Sequence, residues 1–461
     1  MERFMSVIGC FTIIGVAYLL SNSKKSINWK LVLWGLLIQL VIGILVIPDS
    51  FFNTWIKDIF NVSISPGQWF FNNMNDIIMK ILSFSDIGMN FLLGSFIEKG
   101  KVSPVFENFM FRGLPIIIFF SSLIAILYHY KIMQKIVNCF AFIMRKFMGT
   151  SGAESLAVSS NIFVGMIEAP LTIRPFISQM TQSELFSVMV AGMATIAGSV
   201  MGVYVGMLES HFPNIAGHLL TASLMSAPAA LVLSKIMIPE LDQPVTLGQK
   251  VDVPVTTVNG IDALSSGAID GLKLVFNVGA VLLVFIALLN LIDFIIVKPQ
   301  TYFNITQPIN IQSIAGYIFA PISFLLGVPS EDVLTAGTLL GEKVVLNELI
   351  AYNHLGNILK DYDSQVYNPL LKALQGDNWE VYAPLTNILK ENNLLLTERS
   401  KLILSYALCG FANFGSIGIM IGGISGMIPN RAKDLAKLGF KSMLGGLLAG
   451  FLTACIAGII V

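Results

Sequence analysis

Apolar runs long enough to cross a membrane recur along the whole chain. Runs of about 18 or more residues, the length that a transmembrane helix needs, occur near residues 4–21, 31–48, 113–130, 183–208, 216–238, 271–297, 401–428 and 442–461. Only 12% of the residues are charged, against about 25% in soluble domains. The sequence therefore predicts an all-α polytopic membrane protein with about eight transmembrane helices.

Charges in the loops indicate how the chain is oriented. The formal net charge is zero, and no basic patch, zinc-ligand spacing or phosphate-binding loop is present in the sequence. Nucleic acid is therefore not an expected partner, and an ATP-driven pump is disfavoured. Lysines and arginines cluster at 24–30, 131–146 and 431–441. Placing these clusters in the cytoplasm puts both termini outside the cell membrane, with 4–21 as the first span and not a signal peptide.

One polar segment lies among the apolar runs. Residues 161–168 contain Asn161, a glycine and Glu168, and Pro170 follows. An ionised side chain at the centre of a lipid-exposed helix costs roughly 2.5–3.5 kcal/mol on insertion scales. Glu168 therefore marks a substrate or ion pathway, unless the segment is an ordinary loop outside the bilayer.

Four further segments depart from simple spans. Residues 66–103 mix aromatic and polar side chains and predict an amphipathic interfacial helix. Residues 150–182 and 310–348 are apolar but interrupted by glycine, proline and acidic residues, which predicts two re-entrant helical hairpins shielded from lipid. Residues 351–400 are polar and predict a small helical excursion or cap outside the cell.

Two later helices share a pattern of small residues. Residues 192–200 contain Thr195, and residues 410–418 contain Asn413, each among glycines and alanines. Helices that unwind in corresponding halves point to the binding site of a transporter, although small residues also let helices pack closely. The predicted division is a scaffold at 1–130, a first transport repeat at 131–238, a linker and span at 239–300, and a second repeat at 301–461.

These motifs, in this order, resemble the concentrative nucleoside transporters from about residue 30 to the end. The similarity is carried by residues 161–170, 173–175, 180–181, 183–185, 193–200, 218–223, 225–229, 341–343, 346–348 and 410–418. The resemblance implies an inverted-repeat transport core, a homotrimer of eight-span protomers in the plasma membrane, and symport of nucleosides with Na⁺, or with H⁺ in some branches. It implies Na⁺ as coupling ion and no other cofactor.

The resemblance also assigns residues to a substrate site. Glu348, Asn413 and Ser416 match residues that bind ribose hydroxyls, while Phe411 and Val200 match contacts to the base. The tip of the first hairpin carries a Gln-Thr/Ser-Glu triplet in the family. The present sequence has Met166, Ile167 and Glu168 there, so two polar base contacts are replaced. We expect weaker pyrimidine discrimination and tolerance of purine nucleosides.

A sodium site follows from the same resemblance. It would comprise the side chains of Asn161 and Thr195 with the backbone carbonyls of Val164 and Ile196. A carboxamide oxygen suits a hard cation. Read from the residues alone, Asn161 could instead cap a helix, and Thr195 could bond back to its own helix.

Three functional hypotheses result. The first is a secondary active symporter that imports nucleosides on the sodium gradient. The second is a proton-coupled transporter of nucleosides or related solutes with altered base selectivity. The third is an intramembrane enzyme that uses Glu168 and Glu348 as a carboxylate pair; it is disfavoured because no nucleophile motif or metal cluster accompanies them in the sequence.

Overall fold

Helices are the regular structure of the described part of the protein. This computed structural model covers residues 1–48, 50–60, 64–97, 114–251, 257–303, 309–362 and 396–461, and every regular element within these ranges is a helix. The all-α prediction is confirmed for these ranges.

Six α-helices are described in the first part of the chain, up to residue 148 and apart from the gaps given above. They are α1 (Glu2–Leu19), α2 (Trp29–Val46), α3 (Phe51–Phe60), α4 (Pro66–Ile97), α5 (Ile116–His129) and α6 (Ile132–Met148). The side chain of Asn28 caps α2 by accepting from the Leu31 N–H at 3.2 Å. The predicted interfacial helix at 66–103 corresponds to α4 up to Ile97, and residues 98–103 lie outside the described part. Its interfacial position stays a prediction.

The next six helices flank the first chain reversal and the first break between two helix halves. They are α7 (Gly152–Ser160), α8 (Glu168–Leu171), α9 (Arg174–Ile177), α10 (Gln182–Ala194), α11 (Gly198–Leu208) and α12 (Ile215–Met237). Thr181 and Glu184 form a reciprocal capping box that begins α10. Helices α10 and α11 are separated by the non-helical residues 195–197, within the segment where the sequence predicts unwinding.

Seven α-helices are described in the last part of the chain, within residues 257–303, 309–362 and 396–461. They are α13 (Gly260–Tyr302), α14 (Ile311–Leu326), α15 (Val333–Val345), α16 (Glu348–Tyr362), α17 (Glu398–Ala407), α18 (Phe414–Met427) and α19 (Ala432–Ile460). The last of them packs against α1, α10, α12, α17 and α18. Glycines allow this close approach, since a Cβ at Gly446 would lie 2.4 Å from the Cβ of Met193.

The second hairpin differs from the segment predicted at 310–348. The chain reverses at 327–332, between α14 and α15, and again at residues 346–347, between α15 and α16. The second reversal is fixed by a contact between its arms, where His354 Nδ1 lies 2.9 Å from Glu342 Oε2. Glu348 therefore begins the second arm of a hairpin whose tip is at 346–347, and does not end a hairpin.

Both ends of the predicted excursion at 351–400 belong to helices that pack against the rest of the chain, and its external position stays a prediction. Residues 351–362 continue α16, and its buried Ala351, Tyr352, Leu355 and Leu359 recur at helical spacing on one face. Residues 398–400 belong to α17, where Ser400 is buried. The high polarity of 351–362 comes from the opposite face of an amphipathic helix. Residues 363–395 lie outside the described part.

Five helices of the described part are long and apolar enough to cross a membrane: Glu2–Leu19, Trp29–Val46, the broken Gln182–Leu208, Ile215–Met237 and Pro429–Ile460. A sixth is added if Ile116–His129 and Ile132–Met148, which meet at a bend of 79°, count as one span. The number of eight spans stays a prediction.

Candidate functional site

Three interruptions of helical structure meet at one place. They are the tip of the first hairpin at 161–167, the break at 195–197 and the break at 408–413. The Gly198 N–H donates to the carbonyl oxygen of Phe163 at 3.0 Å, and the Phe411 N–H donates to the carbonyl oxygen of Thr195 at 3.3 Å. The break at 195–197 is therefore bonded through the backbone both to the first hairpin tip and to the break at 408–413, which lie more than 200 residues apart in sequence.

A cavity of about 110 Å³ lies beside this junction. Its walls come from the hairpin tips, from α11 and α18, and from the long helix α13. The lining residues are Met166, Val200, Tyr204, Asn277, Val278, Asn347, Glu348, Leu349, Phe411, Asn413, Gly415, Ser416 and Ile419. Six of the eight residues that the sequence analysis assigns to a substrate site are among them.

The carboxylate of Glu348 is held from two sides. The hydroxyl of Tyr204 donates to Oε1 at 2.8 Å, and the side-chain amide of Asn413 donates to Oε2 at 3.0 Å. Glu348 is only 5% exposed. A buried carboxylate needs such donors, because an unpaired charge away from water is costly. The three residues come from α16, α11 and the break before α18, so the carboxylate joins separate elements.

Asn413 has a second role at the start of α18. Its side-chain oxygen accepts from the Ser416 N–H at 2.9 Å, which makes Asn413 the N-cap of that helix. Its amide nitrogen is then directed to Glu348. The cap fixes the orientation of the carboxamide, and the predicted trio of Glu348, Asn413 and Ser416 is brought together by these bonds.

The three side chains of residues 166–168 lie in different environments. Met166 lines the cavity. Ile167 packs against α18, where its side chain occupies the space beside Gly423. Glu168 is exposed, and it is not part of the cavity wall. Of the two carboxylates in the enzyme hypothesis, only Glu348 lines this cavity.

A second polar position lies on the other side of the hairpin tip. Asn161 is fully buried, and neither its amide oxygen nor its amide nitrogen has a hydrogen-bond partner. Its side chain therefore does not cap a helix. The Thr195 hydroxyl donates to the Ala191 carbonyl at 2.9 Å, which leaves the lone pairs of its oxygen for another ligand.

The oxygen atoms available at this position are ligands that suit a small hard cation. Val164 and Ile196 lie in non-helical backbone, so their carbonyl oxygens are not committed to a helical ladder. With the oxygens of Asn161 and Thr195, they offer neutral oxygen ligands of the kind that such a cation prefers. A buried carboxamide without a partner costs free energy that a bound ion would offset.

Three polar lining residues, Tyr204, Asn277 and Asn347, are absent from the substrate site assigned from the sequence. Tyr204 follows Val200 by four residues and shares its face of α11, so helical periodicity could have found it. Asn347 is the direct neighbour of Glu348. Asn277 lies within the 43-residue helix α13, and no local sequence signal marks it as part of a site.

Three family models match the chain. They are described as "Na+ dependent nucleoside transporter N-terminus" over residues 8–96, "Nucleoside recognition" over residues 110–211 and "Na+ dependent nucleoside transporter C-terminus" over residues 218–458. Together they extend over nearly the whole sequence.

Similar proteins are found in bacteria and in mammals. The uncharacterized transporter YutK of Bacillus subtilis is 36% identical over 463 residues, and the match covers 100% of both proteins. An uncharacterized transporter of Haemophilus influenzae is 36% identical, with 100% of this chain and 98% of that protein covered. Solute carrier family 28 member 3 of Mus musculus is 34% identical; the chain spans 59% of its length.

Solved structures show the same architecture. The structure of CNTnw in an inward-facing substrate-bound state superimposes with a TM-score of 0.81 at 34% sequence identity, covering 100% of this chain and 98% of that one. A CNTnw variant in an outward-facing state gives the same TM-score and coverage.

Proposed function

The chain belongs to the Na⁺-dependent nucleoside transporter family, and from this premise we propose that it imports nucleosides across the plasma membrane by symport with Na⁺. Membership makes the protein a nucleoside transporter of the concentrative type and not an enzyme. The coupling ion, the residues that bind substrate and ion, the external termini and a homotrimeric assembly are the parts that we propose.

The observation that carries the proposal is the position of Glu348. Its carboxylate borders the cavity while Tyr204 and Asn413 hold it in place. Vicinal ribose hydroxyls are donors that need acceptors, and a fixed carboxylate supplies two oxygens for them. Hydrogen bonds to a charged group contribute roughly 1.5–3 kcal/mol each. We assign the ribose end to Glu348, Asn413 and Ser416.

The base end of the proposed site is apolar. Met166, Val200 and Phe411 line the cavity, and they offer packing and an aromatic face in place of hydrogen-bond donors. Apolar contacts distinguish bases weakly, whereas polar groups reject a wrong partner strongly. The transporter is thus proposed to accept purine as well as pyrimidine nucleosides. Ile167 and Glu168 reach the base only if the first hairpin moves.

Movement of a hairpin is part of the proposed cycle. The cavity volume of about 110 Å³ is below the roughly 300–1,000 Å³ of typical ligand pockets. A nucleoside therefore enters or leaves when a hairpin tip separates from the helix breaks. Transporters alternate access by such movements of one repeat against the other.

Sodium is proposed to organise the same junction. An ion held by Asn161, Thr195 and the carbonyl of Val164 would bind the first hairpin tip to the break at 195–197. The break in turn contacts Phe411 through its backbone. Ion binding would thus stabilise the wall of the substrate cavity, and by linkage substrate would tighten Na⁺ binding by the same factor.

A calorimetric titration of the purified protein tests the binding part of the proposal. Uridine and adenosine are titrated separately in sodium chloride and in choline chloride at one pH. We expect both nucleosides to bind, and to bind more tightly in sodium. Equal affinities in the two salts would remove Na⁺ from the proposal and favour the proton-coupled alternative. Binding of neither nucleoside would overturn the assigned substrate site.

A further inference from the structure

A buried lysine lies close to the tip of the second hairpin. Lys343 is on α15, in the last turn before the tip, and it is fully buried. Its ammonium donates to the carbonyl oxygen of Ala407 at 2.8 Å. A Cβ at Gly450 would lie 3.6 Å from Nζ, so α19 also packs closely against the ammonium.

No carboxylate in the described ranges pairs with this ammonium. Its sequence neighbour Glu342 points to the other arm of the hairpin and contacts His354 at 2.9 Å. By contrast, the buried Lys235 lies 2.7 Å from Glu154 and 3.2 Å from Glu240. A buried ammonium is costly unless it is paired or bound by oriented dipoles, so the surroundings of Lys343 must supply dipoles.

The acceptor of Lys343 belongs to a helix end. Ala407 is the last residue of α17, directly before the second break. The last four carbonyl groups of a helix have no partner within it, and together they form the negative end of the helix dipole. The ammonium is therefore held by the C-terminal end of the first half of a broken helix.

The first half of the molecule has the same arrangement with a different occupant. Asn161 directly follows the first arm α7, and the proposed Na⁺ position lies between it and the end of α10, which precedes the first break. In both halves the end of a hairpin's first arm meets the C-terminal end of a helix that then breaks. One position offers a carboxamide without partners; the other is filled by an ammonium.

We propose that Lys343 is a tethered cation that fills, in the second half of the molecule, the position that Na⁺ takes in the first. This inference rests on the proposed function. Lys343 lies in the last turn of the first arm of this hairpin, and Glu348 begins its second arm. Lys343 is thus a positioning residue, which holds the tip and its carboxylate against the second break and leaves one mobile cation to be bound.

The test replaces the tethered cation and supplies a free one. In Lys343→Ala, we expect nucleoside uptake at fixed Na⁺ to fall by about tenfold, the equivalent of roughly 1.4 kcal/mol. Methylammonium, or a raised Na⁺ concentration, should restore it. The Na⁺ activation curve should change from hyperbolic in the natural chain to sigmoidal in the variant, because a second mobile cation is then needed.

Two further variants make the result specific. Lys343→Arg keeps the charge and should retain most of the uptake without added amine. Lys360→Ala removes an exposed lysine of the same hairpin and should show no response to methylammonium. Unchanged uptake in Lys343→Ala would overturn the inference. So would a loss that neither methylammonium nor Na⁺ reverses in a folded protein, since that result indicates packing alone.

If Lys343→Ala is poorly folded and uptake cannot be interpreted, thermal unfolding of the purified variant gives a second measurement. Methylammonium should raise its unfolding temperature and leave that of the natural chain unchanged, whereas no difference between the two would overturn the inference. Absence of Na⁺-dependent uptake by the natural chain would instead refute the proposed function. The effect of methylammonium on the unfolding temperature would still test the role of Lys343 as a tethered cation.

Discussion

Two buried polar side chains of the site are satisfied very differently. Glu348 accepts hydrogen bonds on both of its carboxylate oxygens, whereas the Asn161 side chain neither donates nor accepts one. A protein that leaves a buried amide without partners loses stability relative to one that pairs it. The contrast supports the proposed division of roles, in which Glu348 binds the ribose and Asn161 binds the ion.

Replacing the carboxylate tests the ribose assignment. In Glu348→Gln, we expect nucleoside affinity to fall by at least about tenfold, since charge-assisted hydrogen bonds contribute roughly 1.5–3 kcal/mol each. The glutamine keeps one oxygen for either Tyr204 or Asn413 and leaves the other donor without an acceptor, so a loss of stability of about 1–3 kcal/mol is also expected. Calorimetry in sodium chloride measures the affinity. Glu331→Gln, at an exposed turn, is the control; an unchanged affinity in the first variant would contradict the assignment.

Replacing the carboxamide tests the ion assignment. Asn161→Leu removes two buried polar atoms without partners, so stability without sodium should stay level or rise by up to about 1–3 kcal/mol. The stabilisation that Na⁺ gives the natural chain should disappear. Thermal unfolding in sodium and in choline chloride measures both effects, with the exposed Asn353→Leu as control. Sodium-dependent stabilisation that persists in Asn161→Leu would place the ion elsewhere.

At the scale of elements, the second helix break depends on a backbone conformation that is rare outside glycine. Gly410 has a φ of +141°, a conformation that L side chains rarely take. A Cβ there would also lie 2.8 Å from the carbonyl oxygen of Ala194, in the other half of the molecule. The second break is thus built around a glycine that must touch the end of α10.

Gly410→Ala should therefore disturb the junction. We expect backbone strain to lower the free energy of unfolding by at least about 1–3 kcal/mol. Na⁺-driven uptake should also fall, because the junction is distorted. Gly418→Ala is a matched control on α18, because a Cβ there meets nothing within 4 Å, and alanine favours a helix over glycine by about 0.8–1.0 kcal/mol. Equal behaviour of the two variants would show that the break does not require Gly410.

The base of the first hairpin is anchored by a buried ion pair. Lys235 on α12 lies 2.7 Å from Glu154 on α7, and both are buried. Breaking such a pair from one side costs roughly 3–5 kcal/mol, because the other charge stays buried and alone. Lys235→Met should lower the unfolding free energy by that amount, and Lys235→Met with Glu154→Gln should recover part of it. Additive losses, measured by denaturant unfolding, would contradict the pairing.

The elements could be predicted from the sequence where local chemistry decided them. Thr195 and its glycine neighbours mark the first break, and the apolar runs coincide with helices. The sequence ends the second hairpin at residue 348, whereas the helix that begins at Glu348 continues to Tyr362. Four buried residues on one face pack this helix, and in the sequence they alternate with polar residues. Tyr204 and Asn277 enter the cavity through tertiary packing that no local motif records.

At the scale of the whole molecule, the two halves of the chain meet through the helix breaks. The tip of the first hairpin bonds to the first break, and the first break bonds to the second. The second break holds Glu348 at the tip of the second hairpin through Asn413. This chain of contacts connects the proposed ion position to the proposed ribose position, and it gives Na⁺ and nucleoside a shared set of contacts through which to stabilise one another.

The most direct test of this account is uptake of radiolabelled uridine and adenosine into proteoliposomes, with and without an inward Na⁺ gradient at fixed pH. The account predicts accumulation above the external concentration only with the gradient, and its loss in Asn161→Leu and Glu348→Gln. Accumulation that ignores Na⁺ but follows a pH step would contradict sodium coupling. Equilibration without accumulation would contradict symport altogether.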